Sequence, residues 1–410
     1  MKKFEIPEHY RSAIIGEIKN RRRTSDPRKQ DFSPSEFSLG NLSFIFPRHF
    51  GFCYGVENAI ERSYKAIHEN PGKRLFLLSE MIHNPAVNED LVGRGLKFIL
   101  DTEGKQLHPW DDIQADDVVI IPAFGTTVET EELLKSKGVE IARYNTTCPF
   151  VEKVWKRSSE IGLQGFTVVI HGKHKHEETR ATFSHSYQNA PSIIVRDIAE
   201  AKMIGSYMLG KTDATALTSQ FQHKTSSGFD PERDLQRVGV VNQTTMLATE
   251  TQEIADYFKG VMTEKFGESH KEHFADTRDT LCYATNDNQQ STLNALDSSA
   301  DVALVIGGYN SSNTSQIVTI LESRFPTYFI QDASELLNKD EIRHFHYGTH
   351  TFEHTHGWLP GKENLRILIT SGASCPDTIL EEVIHRILTF RPGLLSAEEA
   401  LARFISGNEA

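Results

Sequence analysis

Short, strongly apolar runs alternate with amphipathic stretches along the chain from about residue 42 onward. The apolar runs, which are typical of buried strands, are 75–78, 118–121, 167–170, 238–241, 302–306 and 367–370. The stretches with helical spacing are 56–68, 127–137, 149–161, 249–265 and 377–389. This alternation predicts an α/β protein in which helices cover mostly parallel sheets.

The first 41 residues differ from the rest because they are polar and locally basic. The basic residues are Lys19, Arg21, Arg22, Arg23, Arg28 and Lys29. We predict an N-terminal extension that consists of a helix followed by a loop or arm. Its charge is explained either by simple solvation or by a docking patch for an acidic electron donor, and the sequence leaves both explanations open.

A histidine-rich segment, residues 343–358, lies between the predicted elements. Alternating histidines are compatible with a metal site. These histidines lack a fixed helical spacing, however, so a surface loop or hairpin is the preferred interpretation.

Composition and charge narrow the functional classes. With 410 residues, 38% hydrophobic and 24% charged, the chain is long enough for two or three globular domains. Its formal net charge of −12 argues against a general nucleic-acid binder, which needs a positive surface. No apolar run reaches the roughly 18–20 residues that span a bilayer, and no secretory signal is recognisable. We expect a cytoplasmic protein with no membrane or nucleic-acid partner; a plastid location would require a transit peptide that had been removed.

Four cysteines lie far apart, without a CxxC pair. Scattered cysteines often only fill a core. Cys53, Cys148 and Cys282, however, each precede a predicted helix, the last of which we expect to begin near Asn288. The unpaired N–H groups and the dipole at a helix N-terminus stabilise a thiolate, and they also suit the sulfur atoms of an iron–sulfur cluster.

The three thiolates predict one [4Fe–4S] cluster rather than zinc, because structural zinc usually takes its ligands from close CxxC or HxxxH spacings. Three ligands leave one iron open for a substrate. Three sites of one kind also suggest three similar α/β units that meet at a centre. Cys375 opens a helix too and is an alternative fourth ligand, but a packed residue near an anion pocket is preferred, since catalysis by ligation needs the open iron.

Polar turns at the ends of predicted strands indicate an anion pocket. Glycine, serine and asparagine follow two strands at 307–315 and 371–374, where hydroxyl and backbone N–H groups suit phosphate oxygens. Two further turns, at 80–85 and 171–179, carry histidines. In the second, Glu178 is a candidate proton donor acting through a hydroxyl, and His176 either binds an anion or tunes the acid. Thr244 and Thr245 close another strand with two hydroxyls.

Eight motifs occur in a fixed order between about residues 45 and 390. They are Gly-Phe-Cys-Tyr-Gly-Val (51–56), Ile-His-Asn-Pro (82–85), Thr-Thr-Cys-Pro (146–149), His-Gly-Lys-His-Lys-His-Glu-Glu-Thr (171–179), Asn-Gln-Thr-Thr-Met (242–246), Cys-Tyr-Ala-Thr (282–285), Asn-Ser-Ser-Asn-Thr (310–314) and Ser-Gly-Ala-Ser-Cys-Pro-Asp (371–377). This set resembles the LytB/IspH family of 4-hydroxy-3-methylbut-2-enyl diphosphate reductases, in its plant and cyanobacterial style.

The resemblance implies a trefoil of three α/β units around a central [4Fe–4S] cluster. It also implies a reductive dehydroxylation of a small diphosphate, (E)-4-hydroxy-3-methylbut-2-enyl diphosphate. The products would be isopentenyl and dimethylallyl diphosphate, formed in the last step of the methylerythritol phosphate route to isoprenoids. The implied electron donor is a ferredoxin or a flavodoxin-type protein.

The family's functional residues carry over onto matching positions. Cys53, Cys148 and Cys282 match the ligands of a cluster with an open apical iron. Glu178 matches the proton donor, and Thr244 matches the hydroxyl that positions the substrate alcohol. The residues that match diphosphate-binding groups are His83, His176, Ser311, Ser312, Asn313 and Ser374, with Thr245 as a further candidate.

One turn departs from the family pattern. Many bacterial members carry a histidine where Phe124 stands, so one diphosphate contact is lost or replaced here. The hydroxyls of Thr126 and Thr127, or a backbone N–H, are the candidate replacements. Plant-style members share this departure, so we do not interpret it as inactivation. The segment 343–358 also departs from the compact bacterial form.

The expected organisation is an N-terminal extension (1–41), three α/β units (42–147, 148–281 and 282–395) and a C-terminal tail (396–410). Two other functional classes stay open. One is a non-catalytic iron–sulfur sensor, which would need neither Glu178 nor Thr244. The other is a zinc hydrolase that acts on phosphates, which metal analysis would distinguish.

Overall fold

The computed structural model describes residues 4–275, 277, 280–394 and 396–406. The outermost residues of the predicted extension and tail, and Asp279 beside the third cysteine, lie outside this range. The strands are β1 (Ser35–Ser38), β2 (Leu42–Phe46), β3 (Leu75–Leu77), β4 (Leu96–Phe98), β5 (Val118–Ile120), β6 (Thr167–His171), β7 (Ser192–Val195), β8 (Val238–Asn242), β9 (Phe274–Ala275), β10 (Val302–Ile306), β11 (Thr327–Ile330), β12 (Glu341–His346), β13 (Thr351–His356) and β14 (Leu365–Ser371).

The helices confirm most of the predicted amphipathic stretches. They are α1 (Ala13–Ser25), α2 (Tyr54–Glu69), α3 (Pro85–Gly93), α4 (Val128–Ser136), α5 (Pro149–Leu163), α6 (Glu177–Tyr187), α7 (Ile198–Met208), α8 (Ala214–Gln220), α9 (Pro231–Asp234), α10 (Ala248–Phe266), α11 (Tyr283–Ala295), α12 (Ser312–Glu322), α13 (Asp377–Thr389) and α14 (Ala397–Ser406). Short 3-10 helices cover Glu8–Tyr10, Trp110–Asp112, Gly267–Glu272 and Ala333–Glu335.

The chain forms two compact units. Unit 1 contains the described residues of Met1–Glu57, His83–Ala86 and Tyr283–Ala410. Unit 2 contains those of Asn58–Ile82 and Val87–Cys282.

Unit 1 is built on a five-stranded sheet with the order β1-β2-β14-β10-β11, in which only β1 is antiparallel to its neighbour. Its central strands, β10 and β14, are buried on both faces except at Arg366, as expected for a parallel sheet. Leu304 and Ile306 of β10 pack into one apolar cluster with helix α13, while Ala303 and Val305 pack into a second cluster with α12. The two-residue period of a strand therefore divides β10 between two helical layers.

The N-terminal helix belongs to the core of unit 1. Ser12 caps α1 by accepting a hydrogen bond from the N–H of Ile15 at 2.9 Å. Ile14, Ile15 and Ile18 are buried in the same cluster as α13. The helix is thus confirmed, but the expectation of a merely solvated extension is wrong for residues 13–25, because three isoleucines at helical spacing lie on one face.

Unit 2 contains two parallel sheets. The smaller has the strand order β4-β3-β5, and the larger has the order β7-β6-β8-β9. All five residues of β6 and of β8 are buried. The carboxyl ends of these two central strands, at His171 and Asn242, pair in register and open into the two turns that carry the candidate acid and hydroxyls.

The histidine-rich segment forms an antiparallel hairpin of β12 and β13 within unit 1, with Phe345 opposite Phe352. This confirms the interpretation of that segment as a hairpin. The α/β class with mostly parallel sheets is also confirmed. The trefoil arrangement and the boundaries of its three units stay predictions. Within the described residues, no helix combines the length and apolarity needed to cross a membrane.

Candidate active site

The Cys53 turn is held tightly within unit 1. The N–H of Cys53 donates to the Ala373 carbonyl at 3.2 Å, and the Cys53 carbonyl accepts from the N–H of Glu57 in the first turn of α2. Gly51 must be a glycine, because its φ is +75° and an added Cβ would lie 2.6 Å from Lys19 Nζ. That ammonium donates to Asp377 at 2.6 Å, so α1 and α13 are joined beside the turn.

Cys148 occupies the N-cap position of α5 in unit 2, and Pro149 takes the first helical position. Proline suits this position since its missing N–H would have no partner there. The N–H of Cys148 donates to the Ala123 carbonyl at 2.9 Å, which fixes the residue between the end of β5 and the helix. The side chain is only partly buried.

Cys282 is the last residue of unit 2 and immediately precedes α11, which begins at Tyr283 rather than near Asn288 as predicted. The segment before it is anchored by Thr280, whose hydroxyl donates to Asn242 Oδ1 at 2.6 Å. Asn242 ends β8, so the Cys282 loop is tied to the same strand end that carries the candidate hydroxyls.

Cys375 differs from the other three cysteines. It is fully buried in the main apolar cluster of unit 1, and burial raises the pKa of its thiol far above the usual range. A thiol held neutral in this way is a poor metal ligand. None of the four cysteines is joined in a disulfide. Over the described part of the chain, no group of three or more His, Cys, Asp or Glu side chains lies close enough to hold a metal ion.

Glu178 and Thr244 form a buried pair at the strand ends of unit 2. Glu178 is 1% exposed and accepts two hydrogen bonds from Thr244, one from its N–H at 2.5 Å and one from its hydroxyl at 3.0 Å. His176 is the N-cap of α6, and its Nδ1 accepts from the N–H of Glu178 at 3.2 Å. The carboxylate is therefore fixed by the helix start on one side and by the β8 turn on the other.

Gln243 links the turn at 171–179 to the turn at 242–246. The sequence did not predict this role of Gln243. Its Oε1 accepts from the Thr179 hydroxyl at 2.9 Å and from the N–H of Lys173 at 3.2 Å. Its Nε2 donates to the Thr245 hydroxyl at 2.7 Å. The available signal was the position of Gln243 beside two threonines at a strand end, where an amide can both accept and donate.

Phe124 stands beside His176 in unit 2. The two rings make an edge contact with centroids 5.7 Å apart. Of the candidate replacements for the family histidine, Thr127 uses its side chain to cap α4, and the Thr126 carbonyl accepts from the His185 ring. The ring at position 124 thus packs against His176 and supplies no polar group of its own.

The polar turns of unit 1 come together at the carboxyl ends of β10 and β14. Asn313 Oδ1 accepts from the N–H of Ala373 at 2.8 Å, and Ser374 donates to the His83 carbonyl at 3.0 Å. The candidate diphosphate residues of this unit are all buried: His83, Ser311, Ser312, Asn313 and Ser374. Within the described residues, the Nδ2 group of Asn313 has no hydrogen-bond partner, which leaves a buried donor for an anion.

Ser311 and Gly308 define the shape of this pocket. Ser311 caps α12, accepting from the N–H of Thr314 at 3.2 Å and from the Thr314 hydroxyl at 2.9 Å. Because Ser311 acts as the acceptor in both bonds, its own O–H proton can be donated to a bound anion. An added Cβ on Gly308 would lie 2.5 Å from the His83 carbonyl oxygen, so the backbone approach there requires glycine. The supporting role of Thr314 was not predicted.

Parallel α/β proteins bind small polar ligands at the carboxyl ends of their strands, and both units have polar turns in that place. The chain matches the model of the LytB protein family over residues 45–388. It belongs to the LytB family, and the resemblance noted in the sequence is confirmed.

Curated relatives carry the name 4-hydroxy-3-methylbut-2-enyl diphosphate reductase. The protein of Prochlorococcus marinus (strain MIT 9211) is 38% identical over 398 residues, which cover 96% of this chain and 92% of that protein. The protein of Synechococcus sp. (strain RCC307) is 39% identical over 368 residues, covering 89% and 88%.

Two solved structures are similar. One is the (E)-4-hydroxy-3-methyl-but-2-enyl diphosphate reductase described as the terminal enzyme of the non-mevalonate pathway, with a TM-score of 0.51, 26% identity, and coverage of 84% of this chain and 99% of that one. The other is the E-1-hydroxy-2-methyl-but-2-enyl-4-diphosphate reductase of Plasmodium falciparum, with a TM-score of 0.60 and 18% identity over 90% and 99% of the two chains. The second supports the fold alone.

Proposed function

We propose that this protein is the iron–sulfur reductase that converts (E)-4-hydroxy-3-methylbut-2-enyl diphosphate to isopentenyl and dimethylallyl diphosphate, the last step of the methylerythritol phosphate route. Two electrons and two protons remove the allylic hydroxyl as water. The observation that carries the proposal is the buried Glu178–Thr244 pair, because a sensor or a storage protein has no use for a carboxylate so placed. Relatives named for this activity cover nearly the whole chain.

Cys53, Cys148 and Cys282 would hold one [4Fe–4S] cluster, with one iron left open. Each lies directly before or at the cap of a helix, where N–H groups stabilise thiolates, and this donor chemistry supports the assignment. Cys375, with its raised pKa, is left out. When bound, the cluster supplies electrons and a Lewis-acidic iron to the substrate alcohol.

The diphosphate would be bound by uncharged donors more than by cations. Ser311 and Asn313 offer a buried hydroxyl proton and a buried amide proton, and Ser374 would join them by turning its hydroxyl from the His83 carbonyl to the ligand. Ser312 lies at the start of α12, where the helix dipole favours a negative charge. His83 and His176 would add imidazole contacts, and Thr245 a hydroxyl. This set suits a protein whose net charge of −12 gives the ligand no general attraction.

Glu178 would deliver a proton to the leaving hydroxyl through Thr244. Thr244 now donates its hydroxyl proton to the carboxylate. Once Glu178 is protonated, the direction of this hydrogen bond reverses, and the Thr244 hydroxyl is free to donate to the substrate oxygen. The hydrogen bond from the Thr244 N–H to Glu178 Oε1, at 2.5 Å, keeps the carboxyl group oriented during this change.

The test is anaerobic turnover of the hydroxylated diphosphate with a chemical reductant, combined with metal analysis of the purified protein. We expect both isoprenoid diphosphates, a brown preparation and about four irons per chain. Stoichiometric zinc without iron, or an iron-loaded protein that does not reduce this substrate, would overturn the proposal. The physiological donor and a cytoplasmic location stay predictions.

A further inference from the structure

The histidine hairpin, which we define as residues 340–358, presents an aromatic face to the loop between β10 and α12. Phe345 and Phe352 are paired across its two strands, with ring centroids 5.4 Å apart. Arg343 lies on the same face by strand alternation, and its guanidinium carbon is 3.9 Å from the centroid of the Phe352 ring. Phe352 is 47% exposed, and the Arg343 guanidinium and the Phe345 ring cover part of its side chain.

This face packs on Tyr309, a residue of the loop between β10 and α12. The centroid of the Tyr309 ring lies 4.7 Å from that of Phe345 and 5.3 Å from that of Phe352. Phe329 of β11 completes the contact at 5.1 Å. Edge and tilted contacts at these distances each add a small stabilisation beyond simple burial.

The hydroxyl of Tyr309 is fixed separately from its ring. It donates to the buried carboxylate of Glu335, 2.5 Å from Oε1. Arg343 of the hairpin donates to the same oxygen at 3.1 Å, and the N–H of Gln331 donates to Oε2 at 2.7 Å. Glu335 therefore joins the hairpin to the loop by charge as well as by packing.

Tyr309 lies between Gly308 and the Ser311–Asn313 turn, which line the anion pocket. On the other side of this loop, the Gly308 backbone packs closely against the His83 carbonyl, and the N–H of Ser311 donates to the Gly308 carbonyl at 3.0 Å. The contacts of Tyr309 on one side and of Gly308 on the other therefore hold the 308–313 turn in position. A loop ordered before ligand binding loses less conformational entropy when the ligand arrives.

We propose that Tyr309, Glu335 and the aromatic face of the histidine hairpin are positioning residues for the diphosphate, and that they act by holding the 308–313 turn in its binding conformation. The inference rests on the proposed function for the identity of the ligand. This role belongs to the aromatic side chains of the hairpin. By strand alternation, His344 and His346 lie on the face opposite to Phe345.

The experiment compares binding and turnover in the iron-loaded, full-length protein. Tyr309→Ala removes both the ring and the hydroxyl, and Tyr309→Phe removes only the hydroxyl that donates to Glu335. Phe352→Ala removes the hairpin ring that contacts Tyr309. The control is Glu353→Ala, next to Phe352 but on the opposite face of the strand. The measurements are the Kd of inorganic pyrophosphate by calorimetry, and KM and kcat for the hydroxylated diphosphate.

We expect Tyr309→Ala to raise Kd and KM about tenfold, Phe352→Ala and Tyr309→Phe to raise them about threefold, and kcat to stay within about twofold throughout. Glu353→Ala should match the wild type. A purely structural role would instead lower the melting temperature and the active fraction without separating KM from kcat. Unchanged Kd and KM in the Tyr309 and Phe352 variants, or equal changes in the control, would overturn the inference.

The two proposals fail in different ways. If the wild type binds pyrophosphate but does not reduce the substrate, the proposed function fails, and the pyrophosphate Kd of the variants still decides the role of Tyr309. If the wild type turns over normally and the variants bind as it does, only the positioning role fails. Should Tyr309→Ala not fold, Tyr309→Phe and Phe352→Ala carry the same comparison.

Discussion

Glu178→Gln separates the chemical role of Glu178 from its structural one. The carboxylate accepts two hydrogen bonds from Thr244, and a glutamine amide has only one accepting oxygen. The amide oxygen can still accept from the Thr244 N–H, and the NH₂ group can donate to the Thr244 hydroxyl, which reverses as it does beside the protonated acid. Both hydrogen bonds lose the carboxylate charge, so we expect the free energy of unfolding to fall by only about 1 kcal/mol.

Turnover should fall much further. A lost general acid typically reduces the rate by about a hundredfold or more, which corresponds to at least roughly 2.7 kcal/mol in the activation free energy. Substrate binding should change little, since the proposed diphosphate donors of unit 1 are untouched. The matched control is Glu177→Gln, which makes the same change one residue earlier on α6.

The assay is anaerobic single-turnover reduction with dithionite, combined with chemical denaturation of the same preparations. The reasoning predicts a large drop in rate in Glu178→Gln, a small one in Glu177→Gln, and similar iron content in both. Near-normal turnover in Glu178→Gln would remove this residue from proton delivery. An equal loss in both variants would show that the start of α6, not the carboxylate, is what the reaction needs.

Three further outcomes can be checked. Cys148→Ser is expected to lose cluster iron, whereas Cys375→Ala keeps it because the buried thiol has a raised pKa; iron loss in the second variant would contradict the ligand set. Ile15→Ala should lower the free energy of unfolding by about 2–5 kcal/mol, measured in urea, since this side chain is fully buried; a loss below about 1 kcal/mol would contradict its core position. Burial, with help from the neighbouring Arg48, lowers the pKa of His49 to about 4. The folded state keeps this ring neutral, while the unfolded chain takes up a proton below about pH 6.5. The free energy of unfolding should therefore fall as the pH drops from about 6.5 to 4, by roughly 1–2 kcal/mol after allowance for partial exposure. His49→Gln should remove this part of the pH dependence of stability, measured by denaturation at a series of pH values.

Local patterns predicted the central elements well. Strand 302–306 and helix 377–389 have the predicted bounds, because an unbroken apolar run and a proline-marked helix start are strong local signals. The anion turns at 307–315 and 371–374 were also recognised, and the Asn313–Ala373 hydrogen bond joins them.

Features that depend on distant partners were not predictable from such patterns. The pairing of β2 with β14 joins segments more than 300 residues apart, and no local signal encodes it. The burial of α1 follows from the same closure, since its apolar face becomes core only when α13 is present. The Tyr309–Glu335 bond was missed for a related reason: Tyr309 lies in the recognised turn at 307–315, but its partner Glu335 is distant in sequence and belongs to no recognisable motif.

The division of unit 1 along the chain has a consequence for biosynthesis. Unit 2 is complete once residue 282 has been made, whereas the sheet of unit 1 needs β10 and β14 beside β2, and its core needs α13 beside α1. The apolar face of α1, with Ile14, Ile15 and Ile18, is therefore made before unit 2 and is covered only after unit 2 has been made. During this interval the exposed apolar face favours aggregation of the nascent chain. The Cys53 turn, whose N–H donates to the Ala373 carbonyl, cannot take its final shape until residue 373 has been made.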